Sequence, residues 1–481
     1  MLARRDLIAR AGAVLSTCSA WPLLGSELPR AAAAPVTART TPEIIFNAAP
    51  SSLQLADDGG PPLPVWSYNE RCPGPVLRYR LGDIARIRLR NQLPQPTTVH
   101  WHGMRVPNAM DGVPGISQVP VMPGGEFFYQ FPVRSPGTFW YHPHFQSAEQ
   151  LDRGLYGAIV VEDAQPQPVD RDEVWVIDDW RLDPQGNVHE SFGNLHDASH
   201  GGRLGNVPSV NGRVGASLLV RSGERIRLRL INVANARIFA LRFAGHSPQI
   251  IALDGHAVAP HAAQDGQVVL GPAMRVDLIL DCVASPGSAH AVRDMAYPRT
   301  PFDLLTIHYR DEPPLRREPL PPVAALAAPE FAEPDLPNAT HHSLILEGGA
   351  MGGLRAANLR GERLGIRELA RQGKVWALNG VVAADLHAEP WLRAKLGSTH
   401  LMQIENRTAF SHPMHLHGHP MRIVSRNGKP HTARNWRDTV LIAPRELVEL
   451  AFVADNPGSW LMHCHIPEHM AAGMLGVVQV G

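Results

Sequence analysis

Gly82-Asp83-Ile84-Ala85-Arg86-Ile87-Arg88-Leu89-Arg90-Asn91 is a strictly alternating segment. In an extended strand Ala85, Ile87 and Leu89 share one face and three arginines share the other. The same frame returns twice. Gly223 to Asn232 encloses Arg225-Ile226-Arg227-Leu228-Arg229-Leu230, and Gly397 to Asn406 encloses the weaker His400-Leu401-Met402-Gln403-Ile404-Glu405. Each copy opens after a glycine and closes on an asparagine nine residues later. An Asn-Gly turn stands upstream of the second and third copies (Asn211-Gly212, Asn379-Gly380); upstream of the first, Asn69 stands without its glycine. The spacings of 141 and 174 residues are domain-sized. The chain therefore reads as all-β, three repeats of one β-sandwich.

Length agrees, since 481 residues divide into three domains of about 150. The repeats place domain 1 over 41–165, domain 2 over 166–310 and domain 3 over 338–481. The Pro/Ala-rich segment 311–337 reads as a linker. Strands are expected over 156–162 and 173–178, a long loop over 181–206, and a helix only around 364–371. The 42 glycines and 44 prolines show no triplet period and suit β-turns. Forty-five basic residues balance 45 acidic ones, so no basic field argues for a nucleic-acid partner. Four cysteines in a chain this long cannot form a disulfide framework; Cys72 and Cys282 are either free buried thiols or one bridge between domains 1 and 2.

Residues 1–40 read as an export signal and flexible N-terminus. Arg4-Arg5-Asp6-Leu7-Ile8 resembles a twin-arginine signal, which implies the twin-arginine export machinery as a partner and a periplasmic or otherwise exported protein. Leu15-Ser16-Thr17-Cys18 loosely resembles a lipoprotein box, although Thr17 is unusual before the cysteine. No apolar run is long enough for a transmembrane helix.

Ten of the 24 histidines lie in four short windows: His100-Trp101-His102, His142-Pro143-His144, His412-Pro413-Met414-His415-Leu416-His417, and His463-Cys464-His465 with His469 close behind. In a strand each His-x-His pair aims two imidazoles at one place. Two imidazoles, a thiolate and a thioether describe a blue-copper centre, and His412, Cys464, His469 and Met474 supply that set. Cys464 would then face one side of its strand while His463 and His465 face the other. Eight histidines remain for a second cluster between domains 1 and 3. A covalent path through Cys464 would join the two sites.

With these motifs the chain resembles three-domain multicopper oxidases, closest to bacterial laccase-like and copper-resistance oxidases, over residues 41–481. MDGVPG at 110–115, GTFWYHPH at 137–144, RGLYGAIVVED at 153–163, WRDTV at 436–440 and ADNPGSWLMHCH at 454–465 carry the likeness further. The resemblance implies three consecutive cupredoxin-like Greek-key sandwiches and four copper ions. His100 and His415 would hold type 2 copper; His102, His142, His144, His417, His463 and His465 the type 3 pair; His412, Cys464, His469 and Met474 type 1. Electrons would pass from type 1 through Cys464, His463 and His465 to the cluster that reduces O2. Asp111 becomes the candidate for proton delivery or for orienting a bound water, against the plainer role of a turn cap. Several family members carry a glutamate where this chain has Met470, and Glu468 need not replace it.

The 13 methionines form no methionine-rich run. That favours phenols or aromatic amines as reductants over Cu(I), with a cuprous oxidase or a non-turnover copper-resistance protein as alternatives. Met351 reads first as core or loop packing and second as a weak Cu(I) contact. The spacing of His196, His200, His341 and His342 is no better than loop composition predicts. A copper-free structural relative would have lost ligands, and a nitrite reductase would lack the paired histidines.

Overall fold

The computed structural model describes residues 39–481 except 57–59, 317, 385–388 and 434. The twin-arginine stretch and Cys18 lie outside the described residues. The three repeat strands occupy equivalent places. Asp83–Asn91 runs parallel to Ile44–Leu53 and antiparallel to Glu126–Pro132. Glu224–Asn232 sits likewise between Arg171–Trp180 and Arg275–Cys282, and Thr399–Asn406 between Thr340–Gly348 and Leu447–Val453. A second sheet closes each sandwich over its own apolar core.

The conserved frame has a physical cause in each copy. Gly82, Gly223 and Gly397 all hold φ between 83° and 85°, a left-handed turn that admits the strand. At the far end the Oδ1 atoms of Asn91, Asn232 and Asn406 accept the amides of Leu93, Ala234 and Thr408 at 2.9–3.0 Å. Their Nδ2 groups bind carbonyls of the next corner, including Gln95, Arg237 and Phe410. The upstream asparagines do a second job. Asn69, Asn211 and Asn379 accept the amides of Asn47, Val176 and Ile345, locking the turn to the parallel strand. Where the first copy lacks its glycine, Glu70 itself takes φ 58°.

The arginine faces differ in a way alternation does not foretell. In the first copy Arg86 and Arg88 are half-buried beside Glu43. In the second, all nine residues are buried. Arg227 there pairs with Asp277 and Asp163, and Arg229 with Asp172 and with the hydroxyl of Thr138. That face packs against the first sandwich, so its charges must be paired.

Several expectations need correction. Residues 39 and 40, read as flexible N-terminus, already pair with Asp83 and Ile84, because the Arg39 guanidinium holds the Asp83 carboxylate. Within 181–206, read as loop, Leu195–Ser199 forms a helix capped by Asn194. The other short helices include Ser147–Gln150 and Pro467–Ala471 beside Ile366–Arg371, and Leu364 belongs to a strand before the last of these. Cys72 and Cys282 are free. Cys72 bonds to the Gly154 carbonyl and packs on the Tyr156 hydroxyl. No strand lies among the described residues of 311–337; this segment is fastened by Ala324 to Gln167 and by Pro321 to Arg225. No helix among the described residues is long and apolar enough to cross a membrane.

Candidate metal centres

Strand pairing puts the histidines in register. His100–His102 pairs antiparallel with Gly137–His142, so His100 lies opposite His142. His412–Leu416 pairs with Gly458–Cys464, setting His415 opposite His463 and Met414 opposite Cys464. Eight buried imidazoles meet where the first and third sandwiches abut. Ring centroids are 4.0 Å apart for His100 and His417, 3.8 Å for His102 and His415, and 5.1 Å for both His142–His465 and His144–His463.

Six of these rings have one nitrogen tied to the protein. Nδ1 of His100, His142, His415 and His463 donates to the carbonyls of Asp111, Pro143, Asp438 and Cys464 at 2.8–3.0 Å. His417 Nδ1 donates to Asp111 Oδ2 at 2.8 Å, and His102 Nε2 lies 3.1 Å from Asp438 Oδ1. Such bonds fix the tautomer and leave the other nitrogen as a lone pair. Those lone pairs face each other. His417 Nε2 and His463 Nε2 are 3.1 Å apart, and His142 Nε2 and His465 Nε2 are 3.4 Å apart. His100 Nε2, His102 Nδ1, His415 Nε2 and both ring nitrogens of His144 have no protein partner. Burial, reinforced by neighbouring imidazoles, holds the protonation of His102, His144, His417 and His465 well below the ordinary range. At neutral pH these four rings therefore stay neutral, each keeping one nitrogen as a lone pair suited to a metal cation.

Three sets converge, each with ligand atoms within 4.8 Å: His100, His102 and His415; His102, His142 and His465; His144, His417 and His463. Asp111 is buried with them; it holds His417, and its Oδ1 has no hydrogen-bond partner. It is more than a turn cap, since its side chain and carbonyl position two different rings.

A fourth set lies on the other face of the Gly458–Cys464 strand. Cys464 Sγ is 3.5 Å from His412 Nδ1 and 3.6 Å from His469 Nδ1. Those two nitrogens stand 3.2 Å apart. The far nitrogens are held by the Thr408 hydroxyl on His412 and the His200 carbonyl on His469. Met474 is fully buried in the same core, and its carbonyl accepts the Cys464 amide at 3.1 Å. Burial pushes the Cys464 thiol well up, a cost that a soft metal removes by binding the thiolate.

Some working residues carried no signal of their own. Asp438, inside the WRDTV stretch, touches His102 and presents its carbonyl to His415. Burial would raise its carboxyl, but the Arg275 guanidinium brings it down to about 2. Trp376 packs on both His412 and His469, and Trp140 stacks on His142 at 4.2 Å. Met470 lines a small cavity with His142, His144 and His465. Glu468 turns away from it, accepting from Asn235 Nδ2 at 3.0 Å and from the Arg203 amide. Met351, read as packing, is 77% exposed.

A thiolate–imidazole site joined by one strand to a many-histidine cluster is the working part of copper-dependent, oxygen-consuming oxidoreductases. Family comparison leads to the same place. Three multicopper oxidase models match residues 51–166, 177–293 and 363–481. The chain is 30% identical to multicopper oxidase MmcO of Mycobacterium tuberculosis, covering 91% of this chain and 86% of that one. It is 24% identical to a copper resistance protein A homolog of Pseudomonas syringae, covering 86% and 88%. A crystal structure of a multi-copper oxidase from Pseudomonas thermotolerans superposes with a TM-score of 0.81 at 32% identity, covering 92% of this chain and all of that one. The chain belongs to the multicopper oxidase family. Its sandwiches are three cupredoxin-like domains, and membership implies copper binding, with which the histidine clusters are compatible.

Proposed function

We propose that this protein couples the one-electron oxidation of a small reductant to the four-electron reduction of O2 to two waters, using four copper ions. The observation that carries the reading is the Gly458–Cys464 strand and its continuation. Cys464 reaches His412 and His469, while the adjacent His463 and His465 reach His417 and His142. In this reading His412, Cys464, His469 and Met474 hold type 1 copper, and His100 and His415 hold type 2. His102, His142 and His465 hold one type 3 ion; His144, His417 and His463 hold the other. Bound copper supplies one-electron redox chemistry and the place where O2 is reduced.

The chain's own residues do the rest. Cys464 and its flanking peptide bonds join the two sites covalently. Asp111 orients His417 through Oδ2, and its Oδ1, 3.2 Å from His100 Nδ1 but in no hydrogen bond, is placed to hold a proton or a water beside the cluster. The small cavity beside Met470 is lined without a carboxylate, and the proton task is assigned to Asp111. Domains of 41–165, 166–310 and 338–481 with a 311–337 linker suit this arrangement. Export through a twin-arginine signal to the periplasm suits a protein that folds around its metals; lipid attachment at Cys18 is a lesser alternative.

Phenols or aromatic amines are the reductants favoured by the lack of a methionine-rich run. A second reading, Cu(I), is supported by one observation: the outer nitrogen of His469 is closed off by the His200 carbonyl, so a phenol has no direct hydrogen bond to make there. Copper quantitation, an absorption spectrum and oxygen uptake with a phenol and with Cu(I) test the proposal. Four coppers per chain, a strong blue band and O2 consumption are expected; two or fewer coppers in the fully loaded protein would sink it. Copper uptake without O2 consumption would instead mark a non-turnover copper-resistance protein.

A further inference from the structure

The first sandwich repeats, with a different residue, the arrangement that places Cys464 between two cluster histidines. In the strand His100–His102, buried throughout, the middle residue is Trp101. Alternation turns His100 and His102 to the cluster and Trp101 to the opposite side, as it turns Cys464 away from His463 and His465. Trp101 is fully buried in the core of the first sandwich, and its Nε1 has no hydrogen-bond partner. A buried indole N–H ordinarily finds an acceptor. With none at hand, an oxidised Trp101 keeps its proton, and only an electron from a neighbour removes its charge.

The neighbours are aromatic. The Trp101 ring centroid lies 5.1 Å from that of Tyr129, 5.2 Å from Phe131, 6.2 Å from Tyr141 and 6.3 Å from Phe46. Of these four, the two tyrosines are the readily oxidised ones, because a phenol sheds its proton as it gives up an electron. Each therefore needs somewhere to send that proton. The Tyr141 hydroxyl donates to the Pro75 carbonyl at 2.8 Å, a backbone group that passes nothing on. The Tyr129 hydroxyl donates to Gln118 Oε1 at 2.9 Å and accepts the Val99 amide at 2.9 Å. Tyr129 is wholly buried whereas Gln118 is half-buried, so this bond leads from the core to the surface.

We propose that Trp101 and Tyr129 form an internal electron reserve for the O2-reducing cluster, drawn on when no electron arrives through Cys464. Trp101 gives the missing electron through its peptide bonds to His100 and His102. Tyr129 then restores the indole and passes its proton along the Gln118 bond to water. The balance closes: three electrons from the cluster and one from Tyr129, with four protons, turn one O2 into two waters. Tyr129 is left as a neutral phenoxyl radical. The next electron to enter through Cys464, with a proton from water at Gln118, rebuilds the phenol. O2 reduction then finishes instead of stopping part-way beside oxidisable histidines. The inference rests on the oxidase reading above and adds a second electron source for the same site.

The test uses copper-loaded Cys464→Ser protein, in which no electron enters from the thiolate site. Its cluster is reduced with dithionite, freed of excess reductant, exposed once to O2 and frozen for electron paramagnetic resonance. A tyrosine radical signal is expected, narrowed when the protein carries ring-deuterated tyrosine. Tyr129→Phe should replace it by a tryptophan signal, and Trp101→Phe should abolish both, with copper content followed by metal analysis. A second measurement needs no variant: wild-type protein cycled with scarce reductant and abundant O2 should gain oxygen at Trp101 and Tyr129 in peptide mass spectrometry. A radical signal that is unchanged in both aromatic variants overturns the reserve. So does O2 uptake by the reduced cluster with no protein radical, or wild-type peptides without oxidation at these two residues; the oxidase reading survives all three. If the reduced cluster takes up no O2, the oxidase reading fails, and the reserve with it.

Discussion

Arg275, from the second sandwich, holds Asp438, from the third, by two hydrogen bonds, Nη1 to Oδ1 at 2.8 Å and Nη2 to Oδ2 at 2.5 Å, with both side chains almost completely buried. The same Oδ1 is 3.1 Å from His102 of the first sandwich. One ion pair thus ties a histidine of the cluster to both other sandwiches. Removing one partner leaves a buried charge uncompensated. Arg275→Ala is expected to cost about 3–5 kcal/mol and to reduce copper loading, seen as a lower unfolding midpoint and fewer coppers per chain. Arg275→Lys keeps the charge but loses the two-pronged geometry, so it should fall between.

Cys464→Ser removes the sulfur that lies beside His412 and His469. The blue band and O2 consumption should vanish, while His463 and His465 keep their backbone places and the remaining coppers stay bound. Metal analysis alongside the absorption spectrum checks both halves, and turnover retained by the serine protein would refute the proposed electron path.

Asp111→Asn keeps an oxygen to accept from His417 Nδ1 but gives up the ionisable group. Copper content and the blue band should be close to wild type, with kcat for O2 reduction down by about 10²-fold or more, the scale of a lost general acid. Asp111→Ala should also lose copper, because His417 is then no longer oriented. If the asparagine protein turns over normally, Asp111 serves only to position the ring.

The metal-free protein should weaken in acid. Burial depresses the proton affinity of His102, His142, His144, His415, His417 and His465 in the folded state; His463 is lowered to about 4 and, at the other site, His469 to about 3. In the unfolded chain histidine takes its proton at about pH 6.5. The unfolded state then binds more protons below that pH, so stability present at neutral pH declines as pH falls from about 6.5 towards 4. Chelator-stripped protein should show its midpoint dropping across this window. The copper-loaded form should drop less, because metal competes with protons for the same nitrogens.

Asn232→Ala tests the repeated corner. Its side chain binds the carbonyls of Arg237 and Leu270 and accepts the Ala234 amide, all in a buried setting. Loss should leave these groups unpaired and destabilise the protein by about 2–4 kcal/mol, measured by denaturant unfolding, with the blue band unchanged in the folded fraction.

Much of this molecule was legible along the chain. Gly82, Gly223 and Gly397, with the asparagines that close each copy, announced three sandwiches because their left-handed turns and side-chain locks are local chemistry. The His-x-His pairs and His463-Cys464-His465 announced two joined metal centres because alternation in a strand is also local. Other features depended on contacts between distant segments. Arg227 and Arg229 read like surface arginines yet lie in a buried face, since only packing of the first two sandwiches decides which strand becomes an interface. Asp438 gained its role from Arg275, 163 residues away. His196 and His200 looked like loop composition until the fold wound Leu195–Ser199 into a helix and set the His200 carbonyl that follows it on His469. Strand period and turn chemistry are written within a few residues; which surfaces meet, and so which charges are paired and which edge of His469 is covered, is settled only when the three sandwiches close on one another.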